Sequence, residues 1–63
     1  MNLNEPYTTR DGSVATLDRK HNEQYIGYVK LNPEEYTHVI AAVISRWNKD
    51  GKNVYNTEFD IVV

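Results

Sequence analysis

The sequence contains no cysteine, and that one absence removes disulfide bridges, thiolate zinc sites and cysteine nucleophiles together. It also has no long hydrophobic run. The longest, Val39-Ile40-Ala41-Ala42-Val43-Ile44, falls far short of the roughly 20 residues that span a bilayer, so no membrane association is expected. The opening Met1-Asn2-Leu3-Asn4-Glu5-Pro6 lacks the basic start and apolar stretch of a secretory leader. Neither sign of charge is in strong excess: seven Lys and Arg face nine Asp and Glu, for a formal net charge of −2. Residues 1–30 are balanced, and the small acidic excess falls in residues 31–63. Such a balance lacks the basic surplus of a dedicated DNA binder and is too weak to imitate a phosphate ladder. There is no His-Glu-x-x-His, no phosphate loop and no Gly-x-Ser-x-Gly nucleophile turn.

What is present is a 63-residue chain, which reads as one small globular domain near the lower limit for a self-sufficient core. Domains of this size usually recover stability from disulfides, a metal or a partner subunit. With no disulfide available, the chain is expected to self-associate as a dimer or higher oligomer.

Two of its three glycines follow an aspartate. Asp-Gly closes tight turns because glycine reaches positive φ without a steric cost. Thr8 to Leu17, centred on Asp11-Gly12, therefore reads as strand, turn, strand, after an irregular polar opening that runs through Tyr7. Asp18 to Gln24 is charged and reads as a solvated connection. Tyr25-Ile26-Gly27-Tyr28-Val29-Lys30-Leu31 is the clearest strand, with Gly27 marking a bulge or the close approach of another backbone. A second hairpin is expected around Asp50-Gly51, between Ile44–Trp47 and Asn53–Tyr55. Phe59, Ile61 and Val63 would share one face of a last strand.

Residues 32–47 admit two readings. Asn32 as N-cap, Pro33 at the first helical position and Glu34-Glu35 beside the positive helix end predict a helix start. Tyr36, Val39, Ile40, Val43, Ile44 and Trp47 recur at helical spacing, yet four of the six are β-branched. The expectation is a short helix over 33–41 followed by a strand from Val43 to Trp47; a longer helix over 33–46 packed on a small sheet is the alternative. The fold class is mainly β with α+β character: a small antiparallel sheet that could curl towards a barrel.

The chain resembles a loose group of short phage and prophage proteins of unknown function. The resemblance is carried by Tyr7-Thr8-Thr9-Arg10-Asp11-Gly12, Asp18-Arg19-Lys20, Tyr25-Ile26-Gly27-Tyr28-Val29, Trp47-Asn48-Lys49-Asp50-Gly51-Lys52 and Phe59-Asp60-Ile61-Val62. It implies a compact β-rich domain acting in the cytoplasm of an infected bacterium. The extra residues around Leu31 to Ala42 depart from the group and fit an inserted helix. The resemblance transfers no site residue.

The chemistry-bearing residues are few. Glu34, Glu35 and His38 stand at helical i, i+4 and i, i+3 spacing and could hold a divalent metal, but the same pattern suits an exposed helix start, so no metal or other cofactor is expected. Ser13 and Ser45 have no neighbouring base, and no enzyme is expected. Arg19-Lys20-His21 and Arg46, Lys49, Lys52 form two basic groups. With Tyr25, Tyr28, Trp47 and Tyr55 they could face a single-stranded nucleic acid, a reading the acidic overall balance disfavours. Five tyrosines and one tryptophan are many for so short a chain, and such side chains dominate protein interfaces. The expected function is non-enzymatic binding of a host or phage protein, with Tyr25, Tyr28, Arg46, Trp47 and Tyr55 as candidate contacts.

Overall fold

In a computed structural model, residues 1–36 and 42–62 are described. They form an antiparallel meander of four strands: β1 (Pro6–Thr8), β2 (Val14–His21), β3 (Gln24–Lys30) and β4 (Ala42–Asn48), in the order β1-β2-β3-β4. The sheet stays open rather than closing into a barrel. A single 3-10 turn at Thr57–Phe59 is the only helical element among the described residues. None of these elements is a helix long and apolar enough to cross a membrane.

Three of the turns follow from local chemistry. The β1–β2 turn places Gly12 at φ +82°, and the turn after β4 places Gly51 at φ +87°, as Asp-Gly chemistry predicts. The β2–β3 turn is tighter. His21 pairs with Gln24, leaving Asn22 and Glu23 as a two-residue loop with φ of +49° and +64°. Positive φ at both central residues gives the turn whose twist matches its strands. This corrects the expectation of a solvated connection over Asp18–Gln24. Asp18 to His21 are the second half of β2, and their polarity reflects a strand exposed to water.

The region of two readings resolves towards the sheet from Ala42 onward. Residues 42–46 are strand, so the longer helix over 33–46 is excluded; the β-branched Val43 and Ile44 suit an extended backbone better than a helical one. Of the shorter helix over 33–41, the described part is a single turn. The N–H groups of Glu35 and Tyr36 both donate to the Asn32 carbonyl at 3.0 Å, and Asn32 Oδ1 accepts from the Glu34 N–H at 3.1 Å. Residues 37–41 lie outside the described residues.

Two further expectations are corrected. Pro6 and Tyr7 belong to edge strand β1, where a proline's missing N–H does no harm. The C-terminal stretch is not a strand. Thr57–Phe59 is the 3-10 turn, and Ile61 makes an isolated antiparallel bridge to Thr9; Val63 lies outside the described residues. The second hairpin is short. Trp47 and Asn53 form one bridge, flanked by Asn48 N–H to the Lys52 carbonyl (2.8 Å) and Val54 N–H to the Arg46 carbonyl (2.9 Å).

The core lies on one face of the sheet. Ala15, Leu17, Tyr25, Val29 and Trp47 project there, and Ile61 closes over them with Met1, Tyr7, Leu31, Val43 and Phe59 packed around. The covering layer is thus irregular chain from both ends of the protein. It is pinned by polar contacts: Trp47 Nε1 donates to the Phe59 carbonyl at 2.8 Å, Asn53 N–H to Asp60 Oδ1 at 2.7 Å, and Asn53 Nδ2 to Ser45 Oγ at 2.7 Å. Gly27 lets β2 and β3 approach. A Cβ there would stand 2.1 Å from the Thr16 carbonyl oxygen and 2.8 Å from Leu17 Cα. The partner strand bulges at the same place, between Leu17 and Arg19.

Candidate binding face on the open side of the sheet

Side chains alternate across a strand, so a sheet covered on one side shows a second set of residues on the other. Here the second set is read from the register. Thr16, Tyr28 and Ile44 form one row across β2, β3 and β4; Arg19, Ile26 and Arg46 form the next. Val14, Lys30 and Ala42 lie beyond the first row, His21, Gln24 and Asn48 beyond the second. Ile44 is 83% exposed, and Tyr28 and Val14 are exposed as well. This is the unusual arrangement of a branched aliphatic side chain at mid-strand with almost no protein around it.

The bulge in β2 decides the chemistry of this face. Strict alternation outward from buried Leu17 would place Asp18 opposite Ile26 and send Arg19 to the core side. The extra residue makes Arg19 the partner of Ile26, and Lys20, next along, lies over the Tyr25 ring with Nζ 5.5 Å from its centre. Asp18 and Arg19 then both border the open side. Two adjoining shallow hollows occupy it. One, of about 360 Å³, is lined by Arg19, Lys20, His21, Ile26 and Arg46; the other, of about 170 Å³, by Asp18, Arg19, Ile26, Gly27, Tyr28 and Ile44. Among the described residues the single ion pair is Arg10 to Asp60, at 3.6 Å, so Arg19 and Arg46 stand without a carboxylate partner there.

The five candidate contacts divide. Tyr28 and Arg46 lie on the open face in neighbouring rows of neighbouring strands. Tyr25 and Trp47 are cross-strand partners on the other face, both buried, with Trp47 at 0% exposure. They are core residues, because a domain this small needs its largest ring inside. Tyr55 is 70% exposed but belongs to the segment after the Trp47–Asn53 bridge. Arg19, Ile26 and Ile44 complete the face and were not among the candidates. A period-two reading of Ile26, Tyr28 and Lys30 would have found β3's share; the bulge hides Arg19.

Two other constellations are structural. Ser13 Oγ accepts from the Asn32 N–H at 3.0 Å and Ser45 Oγ from Asn53 Nδ2, and both serines are buried. Asp11 gathers a network: its carboxylate accepts from the Thr9 hydroxyl, from the Ser13 N–H at 3.1 Å and from Tyr36 Oη at 2.6 Å. Partial burial pushes the Asp11 carboxyl up, but the hydrogen bonds from Thr9, Tyr36 and Ser13 outweigh it and hold it below its ordinary value. The same bond to Asp11, with some burial and the nearby Glu58 carboxylate at 3.2 Å, raises the Tyr36 phenol well above its ordinary value. No group of three metal-ligating side chains occurs among the described residues; His38, of the Glu34-Glu35-His38 set, lies outside them.

The chain matches no family model, no curated protein and no solved structure.

Proposed function

We propose that this protein is a phage-encoded accessory protein that works without catalysis, binding a host or phage protein in the bacterial cytoplasm through the open face of its sheet. One observation carries the reading: Ile44, at 83% exposure, sits in the middle of a strand beside Tyr28 and Ile26 on a face that no described segment covers. An apolar side chain held on a rigid strand is poor for solubility and good for contact. Tyr28 adds a ring with a polar tip, and Arg46 a planar cation, the side-chain types that dominate interface energies. The resemblance of the Thr-Arg-Asp-Gly and Trp-x-x-Asp-Gly segments to short phage proteins supports the setting.

Affinity capture from bacterial lysate, comparing wild type with Ile44→Asp, tests the reading. The variant should melt as wild type does and lose the specifically captured protein. Capture unchanged by Ile44→Asp would overturn the assignment of this face. The second reading, single-stranded nucleic acid, rests on Tyr28 lying beside Arg19 and Arg46. It predicts oligonucleotide binding at low salt that weakens steeply as salt is added.

A further inference from the structure

We infer that the open face takes an amphipathic helix of the partner whose apolar stripe is flanked by carboxylates, with Arg19 and Arg46 gripping its two flanks. This rests on the proposed use of the open face and adds the partner's chemistry. Three features of the face point the same way. The first is charge. Among the described strand residues, Arg19, Lys30 and Arg46 stand on this side against one carboxylate, that of Asp18, although the chain as a whole carries a net charge of −2. The surplus cations are therefore local, and Arg19 and Arg46 have no ion-pair partner among the described residues.

The second feature is width. Arg19 on β2 and Arg46 on β4 are separated by β3, hence by two inter-strand spacings, or about 10 Å. That is close to the diameter of an α-helix, about 10–12 Å with its side chains. The third is the floor between them. Ile26 lies directly between the two arginines, and Tyr28 follows two residues along β3 with Ile44 beside it. A helix laid along β3 would set its apolar stripe on Ile26, Tyr28 and Ile44. Its acidic flanks would then meet one arginine on each side. Helix on sheet is also one of the standard layer packings that bury a sheet face.

The same features weigh against a nucleic-acid strand. Ile26 and Ile44 offer no ring for a base to stack on, and the two open-side rings on these strands, Tyr28 and His21, stand at different rows with Ile26 between them rather than as a continuous stacking platform. Asp18 would repel phosphates in the hollow it borders. A second copy packed open face to open face would bring two cationic surfaces together.

The test uses defined probes and the full chain. A stapled amphipathic helical peptide with a leucine stripe flanked by glutamates is titrated into isotopically labelled protein, and backbone amide shifts are followed. Its partners in the comparison are the same peptide with every glutamate changed to glutamine, one with every glutamate changed to lysine, and a single-stranded oligonucleotide. The acidic peptide should shift amides of Arg19, Ile26, Tyr28, Ile44 and Arg46 and should weaken as salt is added. R19E/R46E should bind it at least about tenfold more weakly and should instead accept the lysine-flanked peptide, a swap that a merely structural role would not produce. The single variants R19Q and R46Q, which add no charge, should each give an intermediate loss.

Absence of shifts on the open face overturns the inference. Equal affinity for the glutamate and glutamine peptides there also overturns it, while leaving the face as a protein-binding surface. Preference of the same residues for the oligonucleotide overturns both this inference and the proposed function.

Discussion

Trp47 and Tyr28 show how two aromatic residues of one small sheet come to different ends. Trp47 faces the covered side, is wholly buried and donates its ring N–H to the Phe59 carbonyl. Tyr28, on the neighbouring strand three register positions away, faces water. Trp47→Ala should therefore cost about 3–5 kcal/mol, which approaches the whole stability of so small a domain. Chemical denaturation would register this as a large drop in midpoint or as an unfolded chain, whereas Tyr28→Ala should leave the midpoint nearly unchanged. Gly51 is a second residue-scale constraint. At φ +87°, with Ile61 and Met1 within 3.4 Å of where a Cβ would stand, it should make Gly51→Val lose about 1–3 kcal/mol in the same measurement.

Among the elements, the hairpins differ in how well their sequence suits their geometry. The Asp-Gly turns were legible because glycine at positive φ is a local necessity. The Asn22-Glu23 turn was not, since Glu23 adopts φ +64° without being glycine or asparagine. Register across the hairpin imposes that conformation on it. Glu23→Gly should accordingly raise stability, by up to about 1 kcal/mol, and a lowered melting temperature would show that the turn is not strained.

The bulge at Leu17/Arg19 was equally hidden. A one-residue insertion leaves no compositional trace, yet it decides which charges share a face with Ile26. Gly27, opposite, was legible as a close approach. Gly27→Ala should disrupt the β2–β3 pairing outright, visible as loss of the strand signal in circular dichroism.

The turn before β2 carries the pH dependence. Asp11 is held below its ordinary value in the folded state, so the network's stabilisation is full above the unfolded value of 3.8 and is lost as pH falls through the lower folded value. Tyr36, raised instead, contributes fully below its unfolded value of 10.0 and loses that contribution as pH rises beyond it. Asp11→Asn should flatten the acid limb of a stability–pH curve; an unchanged limb would show that the network does not set the acid stability.

On the scale of the whole molecule, the protein is a single sheet with two unlike sides. One is covered by chain from both ends, the C-terminal part held by Trp47, Asn53 and Asp60. The other carries Ile26, Tyr28 and Ile44 between Arg19 and Arg46. The sequence reading reached the sheet, the Asp-Gly turns and the aromatic candidates, but it could not assign sides. Which side an aromatic faces depends on register, and register depends on the bulge and on segments distant in sequence folding back.

Hydroxyl-radical footprinting of the free protein and of its complex with the captured partner measures that two-sidedness directly. Tyr28 and Ile44 should be oxidised in the free protein and protected in the complex. Trp47 should stay unmodified in both, and Tyr55 should be modified in both. Protection of Tyr55 with Tyr28 and Ile44 unchanged would contradict that assignment, placing the contact on the C-terminal segment instead of the open sheet face.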